Sequence, residues 1–177
     1  MQERMERLME LAELPECLRK VDTSYITPGV QNICSNMFTT TGIIYLHGIG
    51  VGKSTNAAAL LMSYLHGYSD GFSMENVGLY VSTYDLCFHN TNRSRYQQDP
   101  WIIEHMERMR TCKCLVVDDV FTNLAQQEDI LLNTIVSMRQ YFNGVTVFVS
   151  SAINAFDSAS RVLQRIERSA KYKEEFM

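Results

Sequence analysis

The chain has 177 residues, of which 46% are hydrophobic and 20% charged, which is typical of a single globular domain with one hydrophobic core. Its formal net charge of −4 argues against a protein that binds duplex DNA strongly through the phosphate backbone. No apolar run approaches the roughly 18 residues of a membrane span, and the five cysteines are scattered without zinc-binding spacing, so we expect a cytoplasmic protein with reduced thiols and no membrane partner.

The part of the chain before the first strand is predicted to be helical. Residues 2–14 place apolar side chains on one stripe and charged side chains on the opposite face. The stripe consists of Met5, Leu8, Met9 and Ala12. It either docks on the protein's own core, which we favour, or binds a partner protein. Thr27 and Pro28 form a cap and a first-turn proline, which predicts a short second helix to about residue 37 and completes a helical extension over residues 1–38.

Apolar runs alternate with helical patterns through the remaining core domain, residues 39–177. The predicted strands are 43–46, 77–82, 113–119 and 145–151. The helix after the first strand is predicted to extend to about residue 66, and a second starts at Pro100 after a cap at Asp99. A third ends near 143–144, and a fourth runs from about 157 to 169. Residues 90–95 are predicted to form a polar loop. This alternation indicates βαβ units and a parallel sheet. The strands are apolar throughout, which is typical of a sheet covered by helices on both faces.

A glycine-rich loop, residues 47–55, lies between the first strand and a helix. Its sequence HGIGVGKST follows the phosphate-binding pattern G-x-x-x-x-G-K-[ST] except at the first position, and strand–loop–helix is the context that this pattern requires. Backbone N–H groups of such a loop and the helix N-terminus bind phosphate oxygens. The predicted ATP-binding residues are Gly48, Ile49, Gly50, Val51, Gly52, Lys53, Ser54 and Thr55. Lys53 is expected to reach the terminal phosphates and the Ser54 hydroxyl to bind Mg²⁺.

The first position of the pattern holds His47 where a glycine is usual. We interpret His47 as a side chain at the end of a strand, in ordinary β conformation and without a catalytic role. Gly48, Gly50 and Gly52 are expected to provide the positive φ angles that the loop needs.

Polar residues end the third and fourth predicted strands, at the edge where ligands bind in parallel sheets. Asp118 and Asp119 follow four apolar residues, as in P-loop ATPases, so Asp118 is predicted to hold Mg²⁺ and Asp119 to polarise the attacking water. Taken alone, the pair Asp118 and Asp119 could equally be two carboxylates that cap a strand end without a catalytic role. Ser151 is predicted to sense the γ-phosphate, and Asn154 is an alternative; a structural role in the turn stays open for both.

Two groups of basic residues have more than one interpretation. Arg161, Arg165 and Arg168 share one face of the last helix. They form either a solvated face or an arginine finger that completes the site of a neighbouring subunit and makes hydrolysis depend on oligomerisation. The loop that contains Arg93 and Arg95, together with Tyr96, either contacts single-stranded DNA through charge and stacking or is an ordinary polar loop.

Taken together, residues 40–170 resemble the AAA+ ATPase domain of the DnaC/DnaI-type replicative helicase loaders and the related IstB-type transposition helpers. The resemblance is carried by the segments YLHGIGVGKS, KCLVVDDVF, IVSMRQYFNGVTVFVSS and VLQRI, in that order and spacing. It implies a P-loop NTPase with an AAA+/RecA-like core that uses ATP and Mg²⁺. It also implies a homo-oligomer with an arginine finger in trans, for which it favours Arg165 over Arg161, and a ring helicase delivered onto single-stranded DNA.

The sequence departs from that family at several points. Asp119 stands where many relatives have glutamate, and Ser151 replaces the usual sensor asparagine. The chain ends at what we expect to be the fifth strand, before a C-terminal lid, and the N-terminal helix is the candidate helicase-binding element. Such a compact loader would suit the bacterial cytoplasm and a phage or mobile element. The alternatives are a transposition helper ATPase, a small-molecule or nucleotide kinase, and a binding module that uses ATP as a switch without hydrolysis.

Overall fold

The computed structural model describes residues 2–21, 23–68, 77–91, 99–120, 126–152 and 160–177. Five strands form one sheet in the order β2-β3-β4-β1-β5, and every neighbouring pair is parallel, as predicted. The strands are β1 (Gly42–His47), β2 (Gly78–Ser82), β3 (Cys114–Val120), β4 (Val145–Ser150) and β5 (Ala170–Glu175). The terminal segment therefore contributes the fifth strand, which pairs with β1.

Helices cover both faces of this sheet, which confirms the expectation from its continuous apolar strands. One face packs against α1 (Gln2–Leu11), α2 (Pro28–Cys34) and α3 (Lys53–Gly67). The other packs against α4 (Thr83–Thr91), α5 (Pro100–Thr111), α6 (Gln126–Gln140) and α7 (Arg161–Ser169). Successive strand residues alternate between the two cores, so Ile44 and Leu46 join the first and Ile43 and Tyr45 the second. Among the described helices, none is long and apolar enough to cross a membrane.

The N-terminal helix packs on the protein's own core. Leu8, Met9 and Ala12 are buried in the same cluster as α3 and the sheet, so the apolar stripe takes the first of its two predicted positions. The helix ends at Leu11 and not at residue 14, because Glu13 adopts a left-handed φ of 56° and the chain turns there. The division of the chain at residue 38 stays a prediction.

The predicted helix caps at Thr27 and Asp99 are confirmed. The Thr27 hydroxyl accepts the N–H of Val30 at 3.2 Å, and the Asp99 carboxylate accepts the N–H of Trp101 at 2.9 Å. Helix α2 is shorter than predicted, since a separate 3₁₀ turn occupies Met37–Thr39; two further 3₁₀ turns lie at Glu16–Leu18 and Thr23–Tyr25. Helix α7 begins at Arg161 and not near residue 157, because Ser160 is its N-cap.

Sequence analysis missed helix α4. It follows β2 directly and reaches Thr91, into the segment predicted as a polar loop at 90–95. Its sequence TYDLCFHNT has no clear apolar period of 3.6 residues, and Leu86 and Cys87 are its buried apolar side chains. Packing against β2 and β3 therefore decides this helix. The predicted DNA-contacting residues Arg93, Arg95 and Tyr96 lie outside the described residues.

A buried arginine joins elements at the amino end of the sheet. Arg139, in the last turn of α6, is 1% exposed. Its guanidinium donates to four oxygens, which are Thr146 Oγ1 at 2.8 Å and the carbonyls of Met109 at 3.2 Å, Cys112 at 2.7 Å and Val145 at 2.9 Å. It also lies 4.4 Å from the centre of the Phe142 ring. One side chain thus ties α5, α6 and β4 together.

Candidate nucleotide site

The glycine-rich loop runs from the end of β1 to the start of α3, at the carboxyl edge of the sheet, as predicted. Gly48 and Gly52 have positive φ angles of 108° and 92°, which glycine adopts without steric cost. Gly50 does not have a positive φ, so that expectation is wrong for this position. It needs glycine for another reason, since a Cβ there would lie 2.6 Å from the carbonyl oxygen of Met177.

The loop is anchored by the chain that follows β4 and β5. The N–H of Gly48 donates to the Ala152 carbonyl at 2.8 Å, and that of Gly50 to the Phe176 carbonyl at 2.9 Å. The N–H of Phe176 in turn donates to the His47 carbonyl at 2.8 Å. Main-chain hydrogen bonds to the residues that follow β4 and β5 therefore hold the loop against the sheet.

His47 is the last residue of β1, in the strand-end position that the sequence predicted. Its main chain pairs with Glu175 of β5, and its ring stacks on that of Tyr45 with centroids 4.9 Å apart. A residue in extended conformation does not need the conformational freedom of glycine. A side chain is thus tolerated at the first position of the motif.

Lys53 is the first residue of α3, and its ammonium group folds back on the loop. Lys53 Nζ donates to the Gly50 carbonyl at 2.5 Å. Burial lowers the pKa of Lys53, while the negative charges of Asp118 and Asp119 act in the other direction. The lysine of the loop and the two carboxylates at the end of β3 are therefore brought together, as the motif spacing predicted.

Asp118 is buried, at 5% exposure, and three groups hold it in place. Its Oδ1 accepts the N–H of Asp119 at 2.8 Å, and its Oδ2 accepts the hydroxyl of Tyr80. Its carbonyl oxygen accepts the Thr83 hydroxyl at 2.9 Å. Two hydrogen bonds thus orient the carboxylate, and the third fixes the main chain of Asp118.

Asp119 lies in a β-bulge and is exposed. Its φ of 57° is left-handed, and between Val117 and Val120 two residues of β3 lie opposite one residue of β4. Sequence analysis predicted that this strand ends at Asp119, but β3 continues to Val120. Burial and the charge of Asp118 raise the pKa of Asp119, against the effect of Lys53. The bulge separates a buried carboxylate from an exposed one.

The residues at this edge fit a magnesium ion. Ser54 and Asp118 supply a hydroxyl and a carboxylate oxygen, the hard ligands that Mg²⁺ prefers. Asp118 accepts the hydroxyl of Tyr80, and Ser54 lies near that same hydroxyl, so the two side chains lie close together. Burial and the charge of Asp118 raise the pKa of Tyr80, and the nearby Ser54 acts against this. The predicted pair of metal ligands therefore shares one small volume.

The two serines at the end of β4 differ in their surroundings. Ser151, the predicted sensor, is exposed just after the strand. Ser150 is buried, and its hydroxyl donates to the Val120 carbonyl at 2.8 Å and accepts the N–H of Ala152 at 3.1 Å. Ser150 therefore secures the bulged strand next to the carboxylates. The role of Ser151 stays a prediction, and Asn154 lies outside the described residues.

Arg165 is bonded within its own chain. Its guanidinium donates to Ser137 Oγ and to Gln140 Oε1, both at 2.9 Å, in the last turn of α6. That turn leads into the amino end of β4, so Arg165 is held away from the P-loop edge of its own subunit. Arg161 and Arg168 are exposed. The arginine finger stays a prediction.

Sequence reasoning missed three side chains that support the site. Tyr80 and Thr83 hold Asp118, while Asn56 in α3 donates to the carbonyls of Gly52 and Tyr25, each at 2.8 Å. Asn56 is the polar residue directly before the apolar run of α3, and this was its one signal in the sequence. Tyr80 was not, because a tyrosine in an apolar strand usually indicates core packing.

Comparison with known proteins finds similarity of fold. No family model matches the sequence, and no curated protein sequence matches it. The DnaC helicase loader superposes with a TM-score of 0.66 at 16% identity, over 92% of this chain and 100% of that one. DnaI gives 0.62 at 22% identity, over 98% and 97%. The replication initiator DnaA bound to AMPPCP and single-stranded DNA gives 0.61 at 16% identity, over 88% and 50%.

The lengths of these structures differ. The chain spans nearly all of DnaC and DnaI, half of DnaA, and 43% of a DNA replication initiation factor that matches with a TM-score of 0.60 at 18% identity. The order of the five parallel strands, the loop after β1 and the carboxylates on β3 agree with the resemblance found in the sequence. The chain has the α/β fold of the AAA+ P-loop proteins, and this fold is similar to those of DnaC and DnaI.

Proposed function

We propose that this protein is an ATP-binding and ATP-hydrolysing AAA+ protein that loads a replicative ring helicase onto single-stranded DNA. The observation that carries the proposal is the convergence of Lys53, Ser54, Asp118 and Asp119 at one edge of the sheet. A cation, a hydroxyl and two carboxylates next to a glycine-rich loop match what binding and cleavage of a nucleoside triphosphate require.

The loop and its lysine bind the phosphates. Lys53 Nζ exchanges the Gly50 carbonyl for phosphate oxygens, and the first turn of α3 adds its N–H groups and dipole. Ser54 and Asp118 would hold Mg²⁺, which would supply positive charge to neutralise the phosphates. The exposed Asp119 accepts a hydrogen bond from the attacking water and positions it, and Ser151 lies at the neighbouring strand end as a sensor of the γ-phosphate.

Hydrolysis in this proposal depends on a homo-oligomer. Arg165 leaves Ser137 and Gln140 and reaches the nucleotide of the adjacent subunit, where its charge stabilises the transition state. Arg165 is half-buried and its two partners are neutral polar side chains, which a charged phosphate can replace.

The partners are proposed from the fold and from the exposed surfaces. The likeness to a DnaC helicase loader supports a replicative helicase, and the polar face of α1 is the candidate contact because the apolar stripe is buried. Single-stranded DNA is proposed to contact the segment with Arg93, Arg95 and Tyr96. We place these events in the bacterial cytoplasm.

The test is a reconstituted loading assay with the host's purified replicative helicase, ATP and closed circular single-stranded DNA. The wild-type protein is expected to increase the amount of helicase on the circle. Lys53→Ala should lower ATP affinity by about 100-fold, since charge-assisted hydrogen bonds to phosphate are lost, and should abolish loading. Lys20→Ala, which removes an exposed lysine elsewhere, is the matched control and should behave as wild type.

Each other outcome rejects part of the proposal. Unchanged ATP affinity in Lys53→Ala would reject the nucleotide site itself. Loading activity that is absent while a transposase is bound in the presence of ATP would identify a transposition helper. Phosphorylation of a metabolite without a protein partner would identify a kinase.

A further inference from the structure

The side chain of Tyr80 reaches from its own strand to Asp118, the predicted magnesium ligand on the neighbouring strand β3. It lies on β2, is 6% exposed, and its ring belongs to the hydrophobic core shared by α1 and α3. Its main chain pairs with Val116 of β3, two residues before Asp118. The phenol ring therefore reaches along β3 from the core to the carboxylate.

The hydroxyl of Tyr80 is bonded to one predicted magnesium ligand and lies near the other. It donates to Asp118 Oδ2, and Ser54 lies close to the same hydroxyl. A phenol has one O–H to donate, and here the carboxylate accepts it. Asp118 Oδ1 is bonded to the N–H of Asp119, which leaves further lone pairs on both carboxylate oxygens for a metal.

We propose that Tyr80 is a positioning residue of the proposed metal site, whose hydroxyl holds the Asp118 carboxylate in the orientation that binds Mg²⁺ with ATP. The inference rests on the proposed nucleotide site and adds a residue to it. Hydrogen bonds from outer side chains orient ligating carboxylates, and their loss commonly weakens metal binding by 10- to 100-fold. The effect of Tyr80 is expected to pass through Asp118, the carboxylate that its hydroxyl contacts.

The position of Tyr80 also connects the metal site to the N-terminal segment. Its N–H donates to the carbonyl of Ala12 at 2.7 Å, just before the turn at Glu13. Glu13 is held in turn by His105 Nε2 at 2.9 Å and by Arg108. The same residue is thus fixed at its main chain by the segment after α1 and at its hydroxyl by Asp118.

The experiment compares Tyr80→Phe with wild type by titration of Mg²⁺ at saturating ATP, and by ATP titration in EDTA, with a fluorescent ATP analogue as probe. Tyr80→Phe keeps the ring and removes the hydroxyl. We expect its Mg²⁺ affinity to fall by about tenfold while its metal-free ATP affinity stays unchanged. Tyr64→Phe, at another buried tyrosine on the same core, is the matched control and should change neither affinity.

A second measurement does not depend on the stability of that variant. With 3-fluorotyrosine at position 80, the ¹⁹F resonance should shift when Mg²⁺ is added at saturating ATP, whereas the same label at position 64 should not respond. Mg²⁺ affinity of Tyr80→Phe equal to or tighter than wild type, or a silent label at position 80, would overturn the inference. If wild type itself binds no ATP, the proposed function fails; if wild type binds Mg²⁺ with ATP and Tyr80→Phe matches it, only this inference fails.

Discussion

The amino and carboxyl edges of the sheet each contain a basic side chain, and the two differ in burial and in hydrogen-bond partners. At the amino edge, Arg139 is fully buried and donates to four oxygens of its own chain. At the carboxyl edge, Lys53 is half-buried, folds onto the single carbonyl of Gly50, and lies in the field of Asp118 and Asp119. Burial lowers the pKa of both cations. Four hydrogen-bond acceptors compensate for the burial of Arg139, whereas one carbonyl and two nearby carboxylates compensate for that of Lys53.

This contrast separates a charge that serves the fold from a charge that is proposed to bind a ligand. The guanidinium of Arg139 donates to carbonyls at the end of α5 and at the start of β4. The ammonium of Lys53 bonds the loop whose N–H groups are proposed to bind phosphate. The amino edge is therefore organised for stability and the carboxyl edge for binding, as is general in parallel sheets.

The largest expected effect comes from the same substitution at the two edges. Arg139→Met should lower the free energy of unfolding by about 3–5 kcal/mol, because buried acceptors lose their charged donor. Lys53→Met should leave it within about 0.5 kcal/mol of wild type. Urea unfolding followed by circular dichroism measures both. Equal losses for the two variants would break the contrast between the edges.

A second prediction concerns Asp119, which is exposed and has a left-handed backbone. Asp119→Asn keeps a residue that tolerates this backbone and removes the charge, so ATP hydrolysis should fall by about 100-fold with little change in stability. Asp119→Ala should lose the same activity and a further ~1 kcal/mol of stability, since alanine does not favour a positive φ. Steady-state ATPase rates and urea unfolding distinguish the two effects. Full activity of Asp119→Asn would reject the water-positioning role.

The smallest expected effect is a pH dependence from Glu13. Burial raises the pKa of Glu13, but hydrogen bonds from His105 and Arg108 outweigh it, so the pKa lies below its usual value. The unfolded chain then binds the proton more readily, and this contribution to stability is complete above about pH 4.3 and is lost as the pH falls through the lowered pKa. Because Glu13 is partly exposed, solvent screening keeps the contribution below about 1 kcal/mol.

Glu13→Gln tests this by unfolding between pH 7 and pH 3. The variant should be slightly less stable than wild type at pH 7, and the two curves should converge in acid. A constant difference across the range would show that Glu13 acts through its backbone turn and not through its charge.

Local patterns in the sequence were sufficient for much of the fold and for the centre of the site. The glycine-rich loop, the caps at Thr27 and Asp99 and the carboxylates at the end of β3 all lie where they were predicted. Each depends on chemistry within a few neighbouring residues. Long-range contacts were not accessible in this way: helix α4 has no apolar period, and the end of α1 depends on a left-handed glutamate held by α5.

By itself, then, the sequence determined a parallel α/β sheet with a phosphate-binding loop, because periodicity, glycine spacing and capping are properties of short segments. Only the tertiary structure decided that β3 bulges to separate Asp118 from Asp119, that Gly50 is needed where the loop closely approaches the chain after β5, and that Tyr80 bonds Asp118. Those features arise where strands distant in the sequence meet. They depend on contacts between residues that are far apart in the sequence, and no short segment contains that information.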